Sequence, residues 1–202
     1  MRVLCVRHGQ SVANVLAVIS NRGKSHGLTD LGRAQAHALA EQLRSQQVVA
    51  IYTSPLLRAT ETADILSAAT GVGYTETDAL RECDRGIVEE RGDDEAWALV
   101  HTCWEDWRAG QWDSRVEGGE SLADTRARFV PFFQAVTERH RDADGVVVLV
   151  GHGALFLTML PLVLSNVDHE FTFNAPLPNT GAIVLEPDGE GWRCVEWCGT
   201  PM

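Results

Sequence analysis

The sequence predicts an α/β fold: a three-layer sandwich with a mostly parallel central sheet, helices on both faces and a cap inserted over the C-terminal strand ends. Three observations carry that expectation. Short apolar runs of strand length alternate with longer stretches of helical periodicity. Two of those runs, Val3 to Val6 and Val146 to Val150, lack the polar alternation of a half-exposed strand and read as buried. One long stretch, 71–120, is irregular, acidic and rich in Trp, and reads as the insertion.

Val3 to Val6 is the first strand. Thr29 to Ser45 is a helix, with Leu31, Ala34, Ala38, Leu39 and Leu43 at helical spacing behind a Thr29 N-cap. Val48 to Tyr52 is a strand, and Ser54 to Ala69 a helix with Ser54 at the N-cap and Pro55 at the first helical position. After the cap, Ser121 to His140 is helical and Val146 to Val150 is the most apolar strand. Ala154 to Leu164 is an apolar helix disturbed by Pro161, and Ala182 to Leu185 and Trp192 to Trp197 close the chain as strands. No internal repeat or linker interrupts 1–202, which reads as a single domain.

Composition narrows the function classes. With 202 residues, 45% of them hydrophobic, the chain has ample material for one core. No apolar run exceeds five residues, far short of the roughly 18 a membrane-spanning helix needs. Only four apolar residues separate Met1-Arg2 from Arg7-His8, which argues against a secretory leader. The net charge of −11 repels nucleic acid backbones and anionic membranes. Much of it sits between Glu76 and Glu95, where nine acids face three arginines, a pattern that fits a solvated face. Five scattered cysteines, without CxxC or zinc spacing, suit a reduced cytoplasmic protein.

The residues just after each strand hold the candidate chemistry, because open α/β sheets bind ligands beyond the carboxyl ends of their strands. The first strand ends in Arg7-His8-Gly9 and the Val146 to Val150 strand in Gly151-His152-Gly153. A third passes through Thr53-Ser54-Pro55 into a helix carrying Arg58. If these strands are neighbours, two imidazoles and two guanidiniums converge. Arg offers a planar fork of donors matched to phosphate or carboxylate oxygens. Gly9 and Gly153 would let backbone approach a ligand closely, and His changes charge near neutral pH. With no acid at the strand ends, the set suits an anion; no metal or other cofactor is expected. Taken singly, either His is more often structural and Arg58 more often a surface ion pair; the pairing after two strands is what counts.

These residues and their neighbours resemble the histidine phosphatase superfamily, the phosphoglycerate mutase-like group with an RHG motif. Leu4 to Asn14 is similar to its RHG signature, and Leu28-Thr29-Asp30-Leu31-Gly32 to its LT-x-x-G helix start. Thr53 to Ala63 resembles its SPL-x-RA-x-xTA segment, Leu80-Arg81-Glu82 its acid loop, Gly118 to Ser121 its GGES and Val150 to Gly153 its second His motif. The resemblance implies a metal-independent phosphomonoester hydrolase working through a phosphohistidine on His8. It further implies that Arg7, Arg58 and His152 bind and stabilise the phosphoryl oxygens, with Asn14 and the Gly153 N–H as added donors. Glu82 would protonate the leaving oxygen and then activate water, with Asp84 as the fallback.

Mutases of the family carry an ERHYG-like acid loop. Here the run is Glu82-Cys83-Asp84-Arg85-Gly86, without its His and Tyr, in an acidic cap, which favours hydrolysis over mutase-type transfer. A non-catalytic phospho-ligand-binding module is the alternative of another class, but His8, Arg58 and His152 are all present. Lys24 and His26 read as a solvated loop. Trp97, Trp104 and Trp107, at near-helical intervals, read as the packing face of a cap helix; in contact with substrate they would suit an apolar or sugar-like body. The expected partner is a small phosphorylated substrate, with no nucleic acid or membrane, and monomer and homodimer are both open.

Overall fold

The computed structural model describes residues 1–202. In chain order the elements are β1 (Arg2–Arg7), α1 (Val12–Leu16), α2 (Asp30–Leu43), β2 (Val48–Thr53), α3 (Leu57–Thr70) and β3 (Tyr74–Glu76). Then come α4 (Asp94–Arg108), α5 (Leu122–Arg139), β4 (Val146–Gly151), α6 (Gly153–Met159), α7 (His169–Asn174), β5 (Ala182–Asp188), β6 (Gly191–Trp197) and β7 (Thr200–Pro201). They form one seven-stranded sheet in the order β3-β2-β4-β1-β5-β6-β7. The first four are mutually parallel, and β5 to β7 continue antiparallel.

Side-chain alternation along the central strands makes the layers. From β1 and β4, Leu4, Val6, Val146, Val148 and Val150 face α2 and α3, packing on Leu39, Leu43, Ala59 and Leu66. Val3, Cys5, Val147 and Leu149 face the other way, onto Phe129 and Phe133 of α5 and Leu155 and Phe156 of α6. All six residues of β4 are buried, as the most apolar run requires. Each such aliphatic side chain contributes about 1.5–3 kcal/mol on burial, so the centre of the sheet is the rigid part of the molecule.

Register then places the chemistry. Arg7 pairs with Gly151 and Thr53 with Val150, so the three strands end at one level. The backbone continues that alignment for one more residue: His8 N–H donates to the Gly151 carbonyl at 3.0 Å and Ser54 N–H to the Val150 carbonyl at 3.0 Å.

Several local expectations are corrected. Residues 71–120 are not irregular throughout, since they hold the edge strand β3 and the 15-residue helix α4, capped by Asp93. Ser54 does not cap α3, which begins at Leu57 behind Leu56 with no side-chain cap. Thr29 does cap α2, accepting from Gly32 N–H. The buried face of α2 is Gly32, Ala36, Leu39, Ala40 and Leu43, whereas Leu31 is 54% exposed, because the helix sits about a third of a turn away from the expected stripe. Pro161 does stop α6, which gives way after Met159 to a single 3-10 turn over Leu160–Leu162.

Candidate active site

His8 follows β1 and is buried, 3% exposed. Its Nδ1 lies 2.7 Å from the Gly9 carbonyl, which can only accept, so Nδ1 carries the proton and Nε2 presents its lone pair. Arg58 Nε donates to that Nε2 at 3.0 Å. The same guanidinium donates to the Ser20 carbonyl at 2.7 Å and Asn21 Oδ1 at 3.4 Å, which fixes its plane. Gly9 N–H is held by Thr62 Oγ1 at 3.1 Å, tying the His8 loop to α3.

His152 follows β4, fully buried, with its ring centroid 5.1 Å from that of His8. Its Nε2 is 2.8 Å from Ser54 Oγ. Ser54 Oγ accepts the Leu56 N–H at 3.3 Å and has His152 Nε2 as the one acceptor within reach of its own proton, so the hydroxyl donates to that nitrogen. The proton of the imidazole is then on Nδ1. That nitrogen has no partner.

Burial, and next the Arg58 charge, hold both imidazoles well below the usual histidine range; each is neutral at pH 7. Burial also lowers Arg58, to about 10, against the opposing pull of Glu82, and lowers Arg7 likewise. Both guanidiniums therefore stay cationic at neutral pH. Arg7 donates from Nη1 to the Leu177 carbonyl at 2.7 Å, and Gly153 packs over its guanidinium. Only two buried side-chain nitrogens or oxygens lack a hydrogen-bond partner in the whole protein, Arg7 Nε and His152 Nδ1. Both are in this site.

Glu82 reaches the site from the loop after β3. Its carboxylate accepts from Ala154 N–H at 2.9 Å and Leu155 N–H at 2.8 Å, at the start of α6. Asp84 instead turns away, accepting from Arg22 Nε at 2.6 Å and Gly86 N–H at 2.7 Å. Asn14 stands at the rim with Oδ1 taken by Ser11 N–H and Asn179 Nδ2. Arg7, His8, Asn14, Arg58, Glu82 and Gly153 all line one cavity of about 410 Å³; His152 lies behind His8. Trp97 and Trp104 of α4 form part of its far wall, while Trp107 is buried in the core. Lys24 and His26 do not reach it.

Two expectations about the site change. Gly9 is not a ligand cradle: a Cβ there would come within 2.5 Å of the Gly32 carbonyl, so its smallness lets α2 approach β1. Gly153 has room for a Cβ, at ordinary contact with Arg7. Two participants escaped the sequence. Ser54 read as a helix cap because its partner is 98 residues away, and Thr62 entered only within the Thr53 to Ala63 segment that resembles the family, with no role of its own. The strand-end position of Ser54, next to two others bearing His, was the available signal.

The family model for the histidine phosphatase superfamily (branch 1) matches residues 3–200. A protein named "Probable phosphoglycerate mutase GpmB" from Yersinia enterocolitica is 31% identical over 173 residues, covering 84% of this chain and 77% of its own. Among solved structures, one titled mycobacterial hydrolase 1 is 28% identical with a TM-score of 0.83, covering 98% of this chain and 99% of its own. A mycobacterial glucosyl-3-phosphoglycerate phosphatase is 27% identical with a TM-score of 0.78 and 97% coverage of both chains.

Proposed function

The chain belongs to the histidine phosphatase superfamily, branch 1, and on that premise we propose that it hydrolyses phosphomonoesters through a phosphoryl group carried on His8 Nε2. The observation that supports this most is that the two buried, unpartnered side-chain nitrogens, Arg7 Nε and His152 Nδ1, belong to the residues flanking His8: Arg7 precedes it in the chain, and the His152 ring centroid lies 5.1 Å from its own. Leaving two buried polar atoms unpaired costs about 1–3 kcal/mol each. A bound phosphoryl group supplies acceptors for both.

His8 Nε2 attacks phosphorus while the bond to the leaving oxygen breaks, and protonated Glu82 gives its proton to that oxygen. Arg7, Arg58 and His152 Nδ1–H hold the equatorial oxygens, where charge spreads in the transition state. Asn14 and the Gly153 N–H add donors at the rim. Water then attacks the phosphohistidine, Glu82 takes its proton, the P–N bond breaks and its electrons return to Nε2. Arg7 and Arg58 supply the positive charge a metal would otherwise bring, so we expect turnover without metal.

We take residues 71–120, apart from β3, as the cap over this site. The five cysteines are all free thiols and four are buried, which supports a reducing, cytoplasmic setting. No helix is long and apolar enough to cross a membrane. Similarity to a probable phosphoglycerate mutase favours transfer to a second hydroxyl as the alternative. Against it, the cavity offers one further guanidinium, Arg85, where a retained bisphosphate would need more.

The test is phosphate release from a panel of phosphomonoesters in EDTA, for wild type and His8→Ala. Release by the wild type and none by the variant is expected. Release that stops with chelator, or survives His8→Ala, overturns the reading, and activity seen only with a bisphosphate primer would favour the mutase.

A further inference from the structure

β5 runs antiparallel to β1, so the turn that feeds it, residues 177–181, arrives at the carboxyl edge of the sheet, where the parallel strands end. That turn touches three residues of the site. The Leu177 carbonyl takes Arg7 Nη1 at 2.7 Å. Thr180 N–H is shared between the Arg7 and His8 carbonyls, at 3.0 and 3.2 Å. Asn179 Nδ2 lies 3.1 Å from the His8 carbonyl and 3.2 Å from Asn14 Oδ1. Thr180 holds φ 56°, a left-handed backbone that β-branched residues seldom adopt, and such strain persists only where the surrounding contacts over-determine it.

Obligatory donors and acceptors fix both amides. Ser11 N–H can only donate, so the Asn14 atom facing it at 3.1 Å is Oδ1. The His8 carbonyl can only accept, so the Asn179 atom facing it is Nδ2, and the second hydrogen of that NH2 group goes to Asn14 Oδ1. Asn14 Oδ1 thereby receives two donors, one for each lone pair. Its Nδ2 donates to no group of the protein, and Asn14 lines the cavity that holds Arg7, His8 and Arg58. The Ser11 donor is explained by the capping box of α1. The Asn179 donor is not, since it comes across 165 residues from a side chain outside any helix. Nor does the His8 carbonyl depend on Asn179, because it also has the Thr180 N–H.

We propose that Asn179 is a positioning residue for phosphoryl transfer: it fills the second lone pair of Asn14 Oδ1 and so keeps the Asn14 NH2 group turned to the phosphoryl oxygens. This rests on the phosphatase reading of the site. With Ser11 N–H as its sole tether the Asn14 amide turns over more readily, and an amide turned over presents an acceptor to an anion. Losing one such hydrogen bond shifts the balance between the two orientations by about threefold to tenfold.

The experiment is a double-mutant cycle on kcat/KM for phenyl phosphate, with Asn179→Ala, Asn14→Ala and the double variant. Asn179→Ala is expected to lower kcat/KM by about threefold to tenfold in the wild-type background and to change nothing once Asn14 is replaced. An equal loss in both backgrounds means that Asn179 only supports the turn, and no loss in either means that it does nothing; both overturn the proposal. Asn179→Asp keeps the shape without the donor and should lose at least as much as Asn179→Ala, so wild-type kcat/KM in that variant also overturns it. Failure of the phosphatase reading shows separately, as no hydrolysis by the wild type. Binding of inorganic phosphate, followed by the fluorescence of Trp97 and Trp104 on the cavity wall, then decides Asn179 without turnover. Weaker binding by Asn179→Ala, with the difference abolished in the Asn14→Ala background, sustains the proposal; equal affinities for wild type and Asn179→Ala overturn it.

Discussion

Ser54→Ala removes one hydroxyl and tests how the site fixes the proton of His152. Ser54 is fully buried, and its Oγ takes the Leu56 N–H at 3.3 Å while facing His152 Nε2 at 2.8 Å. Without it, an imidazole nitrogen and a backbone N–H lose a buried partner. That costs about 1–3 kcal/mol of stability, or a fall in melting temperature of about 2–12 °C for a domain of this size. The kinetic effect is separate. With Ser54 gone, nothing selects the Nδ1–H tautomer, and in the other tautomer Nδ1 cannot donate to a phosphoryl oxygen. Loss of a hydrogen bond to a charged oxygen is worth about 1.5–3 kcal/mol, so kcat/KM should drop by roughly tenfold to a hundredfold. Melting curves and steady-state rates on one phosphomonoester at fixed pH read both effects. A variant that melts lower yet keeps the wild-type kcat/KM would refute the tautomer argument.

Stability should also depend on pH. The folded imidazoles of His8 and His152 sit well below the usual value of 6.5 because of burial and Arg58, so in acid the unfolded chain binds protons that the fold refuses. Stability is therefore fully present above pH 6.5 and declines as pH falls through the range below it. Urea midpoints between pH 7.5 and 5 should fall, and His152→Asn should flatten the slope; a midpoint that rises toward pH 5 contradicts the assignment. Gly86→Ala should be severely destabilising. Gly86 has φ +61 and a Cβ there would collide with the Glu117 carbonyl, on top of about 1–2 kcal/mol for the left-handed backbone. A melting temperature within a degree or so of wild type would show that this turn is not the constraint it looks to be.

The parts of the molecule legible in the sequence are those that local pattern dictates. The apolar runs of β1 and β4 name the centre of the sheet, and a parallel sheet makes the residues after its strands converge, so Arg7, His8 and His152 could be placed together from the pattern alone. The hidden parts depend on contacts between distant residues. Leu31 has the right period for a buried helix face, but the rotation of α2 is set by Gly9 fitting against Gly32. Ser54 carries a helix-cap signature, yet its hydroxyl is committed to His152. Glu82 lines the cavity while Asp84 faces Arg22, a separation the sequence leaves open because the two acids stand two residues apart in one loop.

The central claim is that His8 carries the phosphoryl group. Its most direct test is to mix Glu82→Gln, in which hydrolysis of the intermediate is slowed, with phenyl phosphate, quench in base, digest with trypsin and locate the label by mass spectrometry. The account predicts one acid-labile phosphoryl group on the peptide from His8 to Arg22, absent when His8 is also replaced by Ala. A phosphoryl group on any other peptide, or steady turnover with no labelled peptide at all, would contradict it.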